Sequence, residues 1–157
     1  MTSRVLVSLR VGATPARAFE VFVNDIGMWW RPNTLFRFTR RRRGTLAIEP
    51  ALGGRFVESY PDGTEFEIGR VTTWEPGSRL GFTWRQDGFT GDQMTTVEVR
   101  FEPVGDETRV TVEHLGWESV PQDHVARHTF PDGLFLRRHG EWWQDLLESL
   151  RARLGAS

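Results

Sequence analysis

Between Thr34 and Trp117 the chain alternates apolar and polar residues through seven consecutive segments, and from about Gly133 the period changes to one helical stripe. That switch from a period of two to a period of 3.6 constrains the fold more than any other feature. A sheet with one wet face must bury its other face, and a long amphipathic helix is what the chain offers to cover it. The segments are Leu35–Thr39, Thr45–Glu49, Gly54–Tyr60, Thr64–Trp74, Arg79–Trp84, Met94–Glu102 and Thr108–Trp117. Turn signals separate them at Arg43-Gly44, Pro50 to Gly54, Pro61-Asp62-Gly63, Pro76-Gly77, Asp87-Gly88 and Gly105-Asp106. Leu80, Phe82 and Trp84, then Val97, Val99 and Phe101, then Val110, Val112 and His114 mark the inward face. Glu98, Arg100, Arg109, Thr111 and Glu113 mark the wet face, an alternation typical of antiparallel sheets.

An earlier strand, Ser3 to Val11, carries Val5, Val7, Leu9 and Val11 on one side. Thr14-Pro15 then supplies a helix N-cap and a proline at the first helical position. Ala18, Phe19, Phe22 and Val23 give that helix a buried side; it ends near Asn24, with Gly27 in the turn. A second short apolar turn, from Ile26, is stopped by Pro32. At the far end Trp143, Leu146, Leu147, Leu150 and Leu154 share one stripe of a helix over 133–154. The expected fold class is α+β: a curved antiparallel sheet of about seven strands wrapped around a long C-terminal helix, with two short helices after strand 1, in one domain over 1–157. Such a sheet seldom closes tightly on its helix, so the space between them is a natural small-molecule pocket.

Composition narrows the function classes. With 20 basic and 21 acidic residues and a formal net charge of −1, the chain is no strongly basic nucleic-acid module. No apolar run approaches the roughly 20 residues that span a bilayer, and no signal-peptide pattern opens the chain, so a cytoplasmic protein without membrane insertion is expected. The absence of cysteine excludes disulfides, thiolate metal sites and cysteine nucleophiles. Every basic residue is Arg, which reads as codon preference in a GC-rich genome and removes Schiff-base lysine chemistry. Seven Trp and eleven Phe stand against one Tyr, more large apolar area than a domain of 157 residues needs for its core, and this points to an aromatic-walled cavity.

At several points the sequence resembles the bacterial members of a known family. Thr14-Pro15-Ala16-Arg17-Ala18-Phe19 opens the first helix, and Met28-Trp29-Trp30-Arg31-Pro32 follows it. Ile48-Glu49-Pro50, Gly53-Gly54-Arg55-Phe56, the block from Gly69 to Gly77 ending in Trp74-Glu75-Pro76-Gly77, and Val112-Glu113-His114-Leu115-Gly116-Trp117-Glu118 complete the set. Together they resemble the helix-grip fold of the START/Bet v 1-like (SRPBCC) superfamily, in the branch similar to the activator of the heat-shock-protein-90 ATPase. The resemblance covers nearly the whole chain. It implies a domain of a superfamily that includes lipid carriers, cyclases and small-molecule binders. It does not carry over chaperone activation, which in the eukaryotic protein depends on a second domain.

The candidate ligand-binding residues are Phe22, Trp29, Trp30, Phe36, Phe56, Glu58, Phe66, Ile68, Trp84, His114, Trp142 and Trp143. Trp29 and Trp30 are expected at the cavity entrance, and the other rings converge on it from other elements. Each ring singly is more often core than ligand wall; the argument rests on their number. Three roles fit His114: a core histidine satisfied beneath the helix, a ligand hydrogen-bonding group, or a general base. Glu58, inward with Phe56 and Tyr60, needs a partner or water, and Arg70 on the Phe66–Ile68–Thr72 face is the expected one.

Other patterns are read blandly. His124 and His128 stand four apart beside Asp123, a metal-ligand spacing, but Pro121 and Pro131 flank them and the expectation is a solvated loop or short helix without metal. Arg40-Arg41-Arg42-Arg43 reads as a solvated hairpin end. No Gly-x-Ser-x-Gly elbow, phosphate loop or dinucleotide fingerprint occurs, and Ser8, Ser59 and Ser78 lack an evident His partner. The expectation is therefore a binding protein for an apolar, lipid-like or aromatic small molecule, without cofactor or metal. The competing readings are a cyclase- or hydrolase-type enzyme using His114 or Glu58, and a protein-interaction module, including a homodimer.

Overall fold

The computed structural model describes residues 4–30, 44–86, 89, 93–117, 120 and 132–155. The expected strand Leu35–Thr39 with Phe36, the Arg40–Arg43 run, and His124 with His128 lie outside them. The described elements follow in chain order as β1 (Val5–Val11), α1 (Pro15–Asn24), α2 (Ile26–Trp29), β2 (Thr45–Ile48), β3 (Arg55–Ser59), β4 (Glu65–Glu75), β5 (Arg79–Trp84), β6 (Thr95–Val104), β7 (Glu107–Leu115) and α3 (Asp132–Gly155). The strands form one seven-stranded sheet in the order β1-β7-β6-β5-β4-β3-β2, antiparallel throughout. Strands β2 to β7 pair with their chain neighbours, β1 pairs with β7, and both short helices lie between β1 and β2.

Local chemistry accounts for these boundaries. Thr14 caps α1 by accepting from the Arg17 amide at 3.2 Å, and Pro15 loses nothing at a position whose N–H has no helical acceptor. Gly27 falls inside α2 and not in the turn before it, because this short helix presses on β2: a Cβ at Gly27 would stand 2.8 Å from the Leu46 carbonyl oxygen. The Pro76-Gly77 turn adopts φ +78° at Gly77, which brings its backbone against Ala16 at the start of α1.

Strand β4 curves the sheet. Its pairing with β3 slips between Phe56 and Val57, and its pairing with β5 slips between Val71 and Thr73. Each slip inserts a residue and bends the strand, so the inward set runs Ile68, Val71, Trp74 in place of strict alternation. At the first slip a Cβ on Gly69 would collide with the Thr83 carbonyl oxygen, so only glycine passes there. The expected Glu58–Arg70 pair is overturned for this reason. The bulge turns Arg70 to the outer face, where it is exposed and pairs with Glu67 at 3.1 Å.

The inward face and the helices share one core. Phe19 and Phe22 of α1 meet Phe101 of β6 edge-on at 5.3 and 5.9 Å. Helix α3 buries Phe135, His139, Trp142, Trp143, Leu146, Leu147, Leu150 and Leu154, the expected stripe extended two turns toward the N-terminus. Gly140 backs onto Val5 and Val7 of β1, and the Ser149 hydroxyl donates to the Trp29 carbonyl at 2.5 Å. These contacts seat the helix along its length.

Candidate functional site

Trp30 stands at the centre of the aromatic interior. Its ring lies 5.6 Å from Trp29, 6.2 Å from Phe56, 5.8 Å from Trp84, 5.7 Å from Trp142 and 5.5 Å from Trp143. Edge-to-face and tilted arrangements dominate, which suits the negative faces and positive edges of the rings. Trp29, Phe56, Trp84, Trp142 and Trp143 are buried, whereas Trp30 is half-buried. The structure thus brings Trp30, Phe56, Trp84, Trp142 and Trp143 together. Trp29 is not at an entrance: it is 1% exposed, and its indole N–H donates to the Phe22 carbonyl at 3.2 Å. Phe22 of α1, 4.9 Å from Trp29, packs against Phe101 of β6.

Next to this cluster lies a polar group that is entirely buried. The Thr95 hydroxyl donates its one proton to the Trp84 carbonyl at 2.9 Å, so at 2.8 Å from His114 Nε2 it must accept. His114 therefore carries its proton on Nε2 and presents a lone pair at Nδ1. Two donors from α3 converge on that lone pair: His139 Nε2 at 3.1 Å and Trp143 Nε1 at 3.2 Å. His114 and His139 are both 0% exposed. Burial pushes the His114 imidazole well below its ordinary value, with the neighbouring His139 adding to the effect. Burial alone pushes His139 down to about 3. Both rings are neutral at pH 7, and each is a weak base. Of the three roles open to His114, the observed one is a core histidine satisfied under the helix.

Glu58 of β3 is 7% exposed and is held by the Tyr60 hydroxyl at 2.7 Å and the Gly44 amide at 3.2 Å. It faces Phe66 across the ladder, and Phe66 is half-buried with the Arg85 guanidinium 5.2 Å from its ring centre. Ile68 is fully buried on the same strand. The carboxylate is thus a second polar point on the inward side, separate from the imidazole pair.

Sequence reasoning missed His139. Its signal was its place on the α3 stripe, four residues after Phe135 and three and four before Trp142 and Trp143. A separate groove of about 300 Å³ lies outside the aromatic interior, walled by Phe19, Val23, Pro50, Trp74 and Pro76. Its rim acid, Glu20, is exposed and pairs with Arg17 at 3.1 Å. Among the described residues no cluster of three or more His, Asp or Glu could hold a metal ion. No helix among them is long and apolar enough to cross a membrane.

A curved antiparallel sheet gripping a terminal helix over a buried aromatic interior defines a START/Bet v 1-like protein, a fold that typically binds hydrophobic ligands. Within that class the chain belongs to the family described as Activator of Hsp90 ATPase homolog 1-like protein, which matches residues 13–155. No curated protein matches the chain. Among solved structures, protein MLL2253 from Mesorhizobium loti shares 19% identity over 98% of each chain, with a TM-score of 0.66. The Aha1 dimer from Colwellia psychrerythraea shares 18% identity over 96% of this chain and 95% of that one, with a TM-score of 0.60. At that identity both likenesses are of fold. The anthrahydroquino-γ-pyrone synthase Txn09, solved as a complex, is 32% identical over 94% of this chain and 86% of that one, with a TM-score of 0.51.

Proposed function

We propose that the protein binds an apolar, ring-containing small molecule between the sheet and α3, against Trp30, Phe56, Trp84, Trp142 and Trp143. The observation that carries this reading is Trp30, the half-buried ring on which the buried rings converge. A ring able to shift there opens apolar surface that is already largely dry, so desolvation of the ligand supplies most of the affinity. Phe66 and Ile68 extend that wall, and Glu58 supplies the polar point that orients a ligand hydroxyl. Phe22, Trp29 and His114 support the wall from behind. Phe36, outside the described residues, belongs to the same expectation.

The likeness to an anthrahydroquino-γ-pyrone synthase supports a polycyclic aromatic ligand, and favours a second reading in which such a molecule is cyclised. Glu58 is then the better acid/base candidate, because His114 is enclosed and weakly basic. The test is native mass spectrometry of the purified protein, followed by tryptophan-fluorescence titration with a panel of hydroxylated anthraquinones and fatty acids. Saturable quenching by the aromatic set, weakened about tenfold or more by Trp30→Ala, is the expected result; tenfold corresponds to the loss of one good aromatic contact. No adduct and no saturable response would overturn the binding reading. Turnover of an aromatic polyketide that Glu58→Gln abolishes would establish the second.

A further inference from the structure

Helix α1 buries Ala18, Phe19 and Phe22 in the core and turns Ala16, Glu20, Val23 and Asn24, spaced three and four residues apart, toward the turn between β4 and β5. Trp74 ends the inward set of β4, and the Ser78 amide closes the turn after it by donating to the Glu75 carbonyl at 2.9 Å. Gly77 in that turn comes so close to α1 that a Cβ on it would stand 3.5 Å from Ala16. Pro50 approaches from the turn before β3. Between them lies the groove of about 300 Å³. We propose that it is a second ligand site, for a small organic cation: a protonated or quaternary amine carrying one ring or a short apolar chain, with its apolar part against Trp74 and the prolines and its charge at Glu20.

The walls are apolar and the charge is of one sign. Trp74 is half-buried: it meets the buried Phe19 edge-on at 5.1 Å, so the core braces one side of the indole while the other side lines the groove. The negative face of an indole attracts a cation placed over it. Among the described residues that line the groove, Glu20 is the one charged side chain. Helix α1 has no basic residue in its last turn, where Val23 and Asn24 stand, so the negative end of the helix dipole adds to the field of the carboxylate. Glu20 pairs with Arg17 at 3.1 Å, but both side chains are exposed and lie one helical turn apart. Such a pair is screened by water and exchanges readily for another cation.

Size and charge together select the ligand class. A cavity of about 150 Å³ holds a benzene, so this groove has room for one ring and a short chain and not for a length of polypeptide. An anionic molecule of that size would meet both Glu20 and the negative end of α1. A neutral one would gain the apolar contact alone. None of Trp30, Phe56, Trp84, Trp142 and Trp143 lines the groove, so its occupancy is independent of the interior site.

The experiment titrates the full chain with phenethylammonium and, separately, with its neutral counterpart phenethyl alcohol, following amide and indole N–H resonances by NMR. Saturable shifts at millimolar probe are expected along 16–24 and 74–77, with the ammonium binding about tenfold more tightly than the alcohol. Glu20→Gln should bring the ammonium down to the affinity of the alcohol and leave the alcohol unchanged. Arg17→Ala removes the competing cation and should tighten the ammonium roughly threefold. Ala16→Phe fills the groove from an exposed helix position and should abolish the shifts. Three results would overturn the site: no saturable shift in those segments, equal binding of ammonium and alcohol, or shifts that survive Ala16→Phe. Glu20, Arg17 and Ala16 are all exposed, so these variants keep the core intact.

Discussion

At the seam of β7 and α3, two imidazoles are fully buried and neutral, and the hydrogen bonds of His114 run to His139, Thr95 and Trp143. On β3, toward the other edge of the sheet, a carboxylate is 7% exposed and held by a phenol and a backbone amide. The same interior accommodates a titratable group in two ways. At the seam the group is one that can shed its charge at neutral pH and still both donate and accept. Where an aromatic hydroxyl and an N–H are available, a carboxylate can stay, because its oxygens find donors. The first arrangement locks a helix to a sheet. The second leaves a polar point facing inward, which is what a ligand site needs.

Substitutions can break or sharpen this contrast. Trp143→Ala should have the largest effect, because it empties the volume of a fully buried ring and removes a donor to His114. A loss of about 3–5 kcal/mol is expected from urea denaturation at neutral pH. Tyr60→Phe leaves the packing and takes one donor from Glu58, at a cost of about 1–3 kcal/mol. Combining it with Glu58→Gln in a double-mutant cycle should recover part of that loss, since a neutral amide is less in need of the phenol. Additive losses would mean that the two side chains do not interact. Smallest is Arg153→Ala, which breaks an exposed ion pair with Asp25 at 3.3 Å and should cost about 0–1 kcal/mol, vanishing in high salt. A large, salt-insensitive loss there would shift the anchoring of α3 from the imidazole seam to its C-terminal end.

Much of the fold was legible because its signals are local. The inward residues Leu80, Phe82, Trp84, Val97, Val99, Phe101, Val110, Val112 and His114 are all buried, as period two requires on regular strands. The exception is instructive. On β4 the same counting puts Arg70 inward with Ile68, and the bulge set by pairing with β3 turns it out. The candidate site was legible in part. Aromatic residues chosen for their number include the five that converge, while Trp29 and Phe22 support them from behind. His139 went unread because the α3 stripe was counted from Trp143, though the spacing from Phe135 places it on the same face.

What the sequence determined by itself is therefore the order of elements, the inward face of each regular strand and the amphipathic stripe of α3. Those depend on residue type, turn chemistry and period, which act over a few neighbours. Only the tertiary structure decided which polar groups meet: Glu58 with Tyr60 and not Arg70, and His114 with His139. Hydrogen bonds demand alignment to within a few tenths of an ångström, and bulges, helix rotation and strand register set that alignment jointly. Burial tells a side chain only which way to face, whereas a partner 25 residues away is fixed by the rigid packing of everything between.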